Sequence, residues 1–145
     1  MDSAEEYKHS GLTDRILGVF YEVYNELGFG FLESVYQKAM LIALLDAGLT
    51  PTAEIGIPVW FRSQNVGDFR ADLIVNNLIL IELKAGRTLE QVHEAQTLNY
   101  LRATNFELAL LLNFGPKPQI RRLVFANERK KISVYQRSSA AKGSY

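Results

Sequence analysis

The segment from Asp72 to Lys84 constrains this chain most, because it places three charged residues inside a run that is otherwise as apolar as a protein core. Its sequence is DLIVNNLILIELK, and the charged residues are Asp72, Glu82 and Lys84. Burying an unpaired carboxylate or ammonium group is expensive, so buried charges usually have partners or a bound metal. Two carboxylates and an amine on one apolar sheet are a candidate site for a hard divalent cation and a phosphate.

The alternation of side chains predicts how these groups are displayed. Strands are predicted over residues 69–75 and 78–84, and the pair Asn76-Asn77 between them favours a hairpin turn. Alternation along the second strand places Glu82 and Lys84 on one face. The two groups are therefore neighbours at the far end of that strand.

The register of this hairpin decides whether the two acids can meet. A two-residue turn at Asn76-Asn77 would leave Asp72 opposite Ile81, with Glu82 pointing to the other face, because a slip of one residue exchanges the faces. A shared cation requires Asp72 to lie across from Glu82. We therefore predict an odd register, with the three-residue loop Asn76-Asn77-Leu78 or a bulge near Asp72.

A helix after this hairpin supplies further polar groups. The motif Thr88-x-x-Gln91 fits a capping box, and a helix is predicted to follow it to about residue 103. Spacings of three and four place His93, Gln96 and Tyr100 on one face of this helix. Glutamine is a neutral donor and acceptor that can orient a water or hold a phosphate, whereas His93 is interpreted as a surface residue outside the site.

The rest of the pattern indicates a layered protein. Apolar residues at helical spacing predict helices over residues 13–27 and 32–47. The residues predicted to face inward on the second helix are Val35, Ala39, Ile42 and Ala43. Further strands are predicted over residues 55–61, 108–112, 123–125 and 132–135.

The order of the elements predicted up to residue 125 is α-α-β-β-β-α-β-β, which indicates an α/β or α+β fold built as a three-layer α/β/α sandwich. Pro58 argues that the first strand lies at an edge of the sheet, and Asn65-Val-Gly67 is predicted to be a turn. We expect one domain over residues 12–136, an N-terminal extension over 1–11 and a mobile tail over 137–145.

Composition excludes several classes of protein. The chain has 145 residues, of which 48% are hydrophobic and 22% charged, as in a globular domain, and it has no cysteine for disulfides or thiolate zinc sites. The N-terminal MDSAEE is acidic and carries no apolar signal segment, and no apolar run is long enough to span a bilayer. We expect a cytoplasmic protein without a membrane partner.

Charge is distributed unevenly although the formal net charge is zero. From Lys117 onward there are eight basic residues and a single acid, Glu128. This basic third would attract a phosphate backbone, or it would serve as a solvated edge strand guarded by Lys and Arg. Both interpretations stay open at this point.

The chain resembles the PD-(D/E)XK nuclease superfamily in the order of three motifs: Asp72, Glu82-x-Lys84 and Gln96-x-x-x-Tyr100. The resemblance is to the recombination exonucleases of this superfamily, which carry a Q-x-x-x-Y helix. Gly30-x-x-Glu33-x-x-Tyr36 is similar to the signature of the small GxxExxY family within it, and the resemblance spans residues 12–135. It implies a restriction-endonuclease-like core with a central mixed sheet. It also implies a nuclease dependent on Mg²⁺ or Mn²⁺, in which a metal-activated water hydrolyses phosphodiester bonds of DNA or RNA.

The resemblance also implies roles for individual residues. Its metal ligands are Asp72, Glu82, Glu33 and the Leu83 backbone carbonyl. Its catalytic set consists of Asp72, Glu82, Lys84, Gln96 and Glu33, and its supporting residues are Tyr100, Tyr36 and Gly30. Ala71 occupies the position of the proline that gives the superfamily its name.

Other functions fit parts of the same sequence. A nucleic-acid-binding or assembly module with little turnover would suit the small size and zero net charge, and a homodimer would enlarge its footprint. A small-molecule phosphodiesterase is a third reading. Trp60, Phe61 and Arg62 would stack a base or simply pack against the sheet.

Overall fold

A computed structural model describes residues 8–130 of the chain, and the order of its elements is the predicted one. The elements are α1 (Ser10–Leu27), α2 (Glu33–Asp46), β1 (Pro51–Phe61), β2 (Gln64–Val75), β3 (Ile79–Lys84), α3 (Gln91–Arg102), β4 (Leu108–Phe114), β5 (Pro118–Val124) and a short 3-10 turn (Asn127–Arg129).

The five strands form one mixed sheet in the order β1-β2-β3-β4-β5. The pair β3–β4 is parallel, since α3 carries the chain back between these strands, and the other three pairs are antiparallel. Helices α1 and α2 pack on one face of the sheet and α3 on the other. The predicted three-layer α/β/α fold with a central mixed sheet is confirmed.

The centre of the sheet is its most apolar part. All seven residues of β4 are buried, and β3 is buried along its length up to Lys84, as expected for strands covered on both faces. Ile79, Ile81 and Leu83 contact the α1–α2 layer, whereas Leu80 contacts the α3 layer. Glu82, one of the predicted site residues, therefore lies in a strand that is covered on both faces.

The inward face predicted for α2 is correct in part. Ala39 and Ala43 pack against the core as predicted, whereas Val35 is 37% and Ile42 61% exposed. The buried residues of the helix are Tyr36, Met40 and Leu44. The helix is apolar around most of its circumference, so periodicity did not distinguish the two faces.

The turn between β1 and β2 also differs from the prediction. The hairpin turns at Arg62-Ser63, where both residues have positive φ, and Phe61 pairs with Gln64. This is the geometry of a two-residue hairpin turn, whose twist matches that of the flanking strands. The turn predicted at residues 65–67 is therefore wrong, since these residues lie within β2. The prediction that the strand containing Pro58 is an edge strand is confirmed.

The first helix and the last described strand differ from their predicted bounds by a few residues. Helix α1 begins at Ser10 rather than residue 13, and Lys8 forms an ion pair with Glu107. The strand predicted over 123–125 is β5, which begins earlier, at Pro118, and ends at Val124. The strand predicted over 132–135 and the tail predicted over 137–145 lie outside the described residues. Across the described part of the chain, no helix has the length and apolar character needed to cross a membrane.

Two amide side chains fix the loop that follows β3. Asn113 is fully buried; its Oδ1 accepts the Gly86 N–H over 3.0 Å and its Nδ2 donates to the Gly86 carbonyl over 3.0 Å. The Gln119 Oε1 accepts the Leu89 N–H over 2.9 Å, and its Nε2 donates to the Thr88 hydroxyl over 3.2 Å. We call Asn113 and Gln119 the amide clamp.

The amide clamp requires a glycine at position 115. A Cβ there would lie 2.5 Å from the Gly86 carbonyl oxygen and 2.9 Å from Asn113 Nδ2. We expect Gly115→Ala to lower the free energy of unfolding by about 1–3 kcal/mol, the usual cost of overpacking a rigid site. Urea unfolding measures this change.

Gly18 provides the matched control. It lies inside α1, and a Cβ there would meet nothing within 4 Å. Gly18→Ala should therefore raise the free energy of unfolding by about 0.5–1 kcal/mol through helix propensity. An unchanged stability in Gly115→Ala would show that the loop moves freely and that the close approach has no energetic consequence.

Candidate active site

The register between β2 and β3 is the predicted odd one. Leu73 pairs with Ile81 and Val75 with Ile79, so the loop contains three residues, Asn76-Asn77-Leu78. Continuing the ladder by one residue places Asp72 across from Glu82. The geometric condition for a site shared by the two acids is confirmed.

The two asparagines explain why the chain adopts this loop. Asn76 and Asn77 have φ values of 53° and 54°, a left-handed conformation that asparagine tolerates better than most residues. The Asn76 Oδ1 also accepts the Thr50 N–H over 2.8 Å, and the Asn76 N–H donates to the Thr50 carbonyl over 2.9 Å. These bonds join the turn to the start of β1. Leu78, predicted as the first residue of the strand, lies in the loop.

The two carboxylates replace the ladder where the regular pairing stops. The Asp72 N–H donates to Glu82 Oε1 over 3.3 Å, and the Leu83 N–H donates to Asp72 Oδ2 over 2.8 Å. The Gln37 Nε2 in α2 donates to the Asp72 carbonyl over 3.0 Å. Reciprocal bonds of this kind hold the two acids side by side at the opening between β2 and β3.

Burial makes this pair of acids unfavourable when both are charged. Glu82 is only 8% exposed, and burial, followed by the nearby charge of Asp72, raises its pKa to about 8. Burial also raises the pKa of Asp72, against the lowering effect of the Leu83 N–H, and the charge of Glu33 raises it further. A bound cation would remove this repulsion, so the electrostatics of the pair favour metal binding.

Glu33 and Lys84 lie around a cavity beside the pair. Glu33 is the first residue of α2 and is exposed, whereas Lys84 ends β3 and is half-buried. The cavity has a volume of about 330 Å³. It is lined by Glu33, Lys84, Ala85, Gly86, Arg87, Thr88, Glu90 and His93.

Tyr100 approaches the acids from the α3 layer. Its ring stacks on that of Phe69 with 3.4 Å between centroids, and burial, followed by the charges of Glu82 and Asp72, raises its pKa. Gln96 is exposed and does not line the cavity, although it shares a helix face with Tyr100. The structure thus brings Tyr100 close to the acids, whereas Gln96 lies outside the cavity lining.

Tyr36 and Gly30 act on the start of α2 rather than on the cavity. Tyr36 is fully buried, stacks on Phe114 with 4.0 Å between ring centroids, and donates from its hydroxyl to the Gly28 carbonyl over 2.6 Å. Gly30 has a φ of 112°, which favours glycine. These contacts fix the segment that presents Glu33.

The start of α3 differs from the prediction. The capping box is formed by Glu90 and His93, the Thr88 hydroxyl accepts a hydrogen bond from Gln119, and the helix begins at Gln91. His93, interpreted from the sequence as a residue outside the site, lines the cavity together with Arg87. In the sequence, the signal for this position of His93 was its spacing of three residues from Gln96, which places both on one face of the helix.

The donor set suits a hard cation that keeps part of its water shell. Among residues 8–130, no three His, Cys, Asp or Glu side chains are grouped closely enough to hold a metal ion, so Glu33 does not complete a three-acid set in this conformation. Asp72 and Glu82 supply two carboxylates. Mg²⁺ is commonly bound by one or two carboxylates and several waters, so these residues fit it.

The raised pKa of Glu82 predicts a pH dependence of stability. Between its ordinary pKa of 4.5 and about 8, the folded state retains a proton that the unfolded state releases. The free energy of unfolding should therefore fall as pH rises through this range, and Asp72 contributes in the same direction. Urea unfolding in EDTA at several pH values from 5 to 8 measures the slope.

Glu82→Gln is the control for this slope, because it removes the titrating group and keeps the size and acceptor oxygen of the side chain. The decline should be shallower in this variant. An equal decline in both proteins would assign the effect to other groups.

The fold and the family can be compared with known proteins. No curated protein sequence matches the chain significantly. The fold is similar to that in the crystal structure of SSO0001, with a TM-score of 0.52 and 17% sequence identity, covering 95% of this chain and 68% of that chain. This likeness concerns the fold alone. The family profile of the PD-(D/E)XK nuclease superfamily matches residues 10–123, and the chain therefore belongs to this superfamily.

Proposed function

We propose that the protein is a metal-dependent nuclease of the GxxExxY type, which hydrolyses phosphodiester bonds of DNA or RNA. The observation that carries this proposal is the pairing of Asp72 with Glu82, held by two reciprocal hydrogen bonds in the odd register. Lys84, two residues further along β3, lines the adjoining cavity. The membership of a nuclease superfamily agrees with this reading.

The acids form the cation-binding part of the proposed site. Asp72 and Glu82 would hold Mg²⁺ or Mn²⁺ together with the Leu83 carbonyl, and Glu33 would join them when its exposed side chain turns inward. When bound, the ion lowers the pKa of a water and neutralises charge that develops on the phosphate. The protein orients both oxygens through the Leu83 N–H and the Asp72 N–H.

Lys84 provides a fixed positive charge next to the acids. Its compact ammonium group would contact a phosphate oxygen and stabilise the additional negative charge that develops there during cleavage. Gln96, exposed on α3, would orient water or hold substrate. Tyr100 supports the acids from the α3 side, and Tyr36 and Gly30 position the start of α2.

Asp72→Asn tests the cation site. We expect the variant to bind Mg²⁺ or Mn²⁺ at least about 10-fold more weakly in a calorimetric titration, because one anionic oxygen ligand is lost. Asp68→Asn, on the exposed part of β2, is the matched control and should bind as the wild type does. Equal affinity in the wild type and Asp72→Asn would remove Asp72 from the site.

Lys84→Ala tests catalysis. Cleavage of nucleic acid should fall by at least about 100-fold, since a preorganised charge at the reacting phosphate is removed, while metal affinity changes little. Gln96→Ala should reduce cleavage by a smaller factor. Steady-state rates on single-stranded, duplex and branched substrates with either metal measure these changes.

Lys38→Ala, which removes an exposed lysine from α2, is the matched control and should cleave normally. Full activity in Lys84→Ala would contradict the assigned role of this lysine.

A nucleic-acid-binding or assembly module is the second candidate function. The exposed apolar residues of α2 favour it, since Leu32, which precedes the helix, is 76% exposed and Leu45 is 57% exposed. A homodimer formed through this face would cover it. If protein free of contaminating nuclease binds nucleic acid but cleaves none with either metal, this second function replaces the first.

A further inference from the structure

We propose that the cavity beside Lys84 is a second phosphate subsite, in which Arg87 and His93 bind the phosphate that neighbours the cleaved one in the nucleic-acid chain. This inference rests on the proposed nuclease function and specifies its substrate. The substrate is a polynucleotide with a flanking phosphate, rather than an isolated phosphodiester.

The cavity lining carries charges of both signs. Glu33 and Lys84 both lie close enough to the metal-binding acids to act on the pKa values of Asp72 and Glu82, which Glu33 raises and Lys84 lowers. Arg87, three residues beyond Lys84, is the second cation of the lining. Lys84 therefore serves the phosphate at the acids, and Arg87 is available to a neighbouring anion. The volume of about 330 Å³ accommodates a phosphate group with part of its sugar.

Glu90, the other acid in the cavity lining, is the N-cap residue of α3. It forms the capping box with His93, at a helix N-terminus that favours negative charge. Its carboxylate therefore opposes a bound anion less than a free acid would.

His93 is held as a hydrogen-bond donor to the cavity. Its Nδ1 accepts the Glu90 N–H over 3.2 Å, so the neutral ring carries its proton on Nε2. The His93 carbonyl accepts the Thr97 hydroxyl over 2.9 Å, which further anchors this first turn of α3. A ring oriented in this way presents an N–H to a phosphate oxygen.

The amide clamp fixes the backbone on both sides of Arg87. Asn113 holds Gly86 through two hydrogen bonds, and Gln119 holds Thr88 through one. The two amides also bond to each other, with 3.0 Å between Asn113 Nδ2 and Gln119 Oε1. The guanidinium of Arg87 therefore starts from a rigid support, and its planar fork matches two phosphate oxygens.

The first test uses inorganic phosphate with metal-free protein, so it does not depend on cleavage. Calorimetry should show binding by the wild type and binding at least about 10-fold weaker in Arg87→Ala, with Arg87→Lys intermediate. Arg62→Ala, at the exposed tip of the β1–β2 hairpin, should bind phosphate as the wild type does. Equal affinity in the wild type and Arg87→Ala would overturn the subsite.

Nitrogen NMR of the two histidines tests the role of His93 in the same titration. Phosphate should shift the His93 Nε2 resonance, while His9, in the N-cap of α1, remains unchanged as an internal reference. An unchanged His93 Nε2 resonance at saturating phosphate would remove His93 from the subsite.

Kinetics connect the subsite to the substrate. Arg87→Ala should raise KM for an oligonucleotide by about 10-fold with little change in kcat, and should leave cleavage of bis(p-nitrophenyl) phosphate, which has no flanking phosphate, unchanged. An equal effect on both substrates would contradict the proposal. If the protein cleaves neither substrate while Arg87→Ala still loses phosphate binding, the subsite stands and the nuclease function fails.

Discussion

The register of the β2–β3 hairpin is the constraint on which the site depends. Because side chains alternate along a strand, a loop one residue shorter would turn Glu82 away from Asp72. Two asparagines with left-handed backbone, and the bonds of Asn76 to Thr50, hold the three-residue loop. The length of a loop that begins four residues after Asp72 and ends four residues before Glu82 therefore determines whether the two acids meet.

Burying the two acids at the centre of the sheet costs free energy, and apolar packing in the rest of the fold offsets this cost. Glu82 is nearly buried, and its pKa is raised to about 8 because burial and Asp72 both disfavour its charge. The neighbouring strand β4 is buried over its whole length, which stabilises this region by the hydrophobic effect. Apolar packing at the centre thus keeps the acids close together. A bound cation would stabilise both carboxylates in their charged form.

The sequence contained most of the fold and the central pair of the site, but not the parts set by tertiary contacts. The alternation of side chains predicted the correct faces of β3. The requirement that Asp72 and Glu82 share a cation predicted the correct register of the β2–β3 hairpin. The prediction for α2 was correct for Ala39 and Ala43 and wrong for Val35 and Ile42, which are apolar but exposed. The start of α3 was predicted wrongly because the Thr88 hydroxyl accepts a hydrogen bond from Gln119, 31 residues away, and no local sequence pattern predicts such a contact.

Strand β4 connects the two halves of the proposed site. Asn113 pairs with Lys84 in the parallel β3–β4 ladder, and its side chain holds the loop that carries Arg87. The lysine at the acids and the arginine of the cavity are therefore both positioned by contacts of one buried residue. A module that only bound nucleic acid would gain nothing from two acids in mutual repulsion, one of them nearly buried. The combination of these acids with an adjacent lysine is therefore an argument in favour of the proposed nuclease over the binding module.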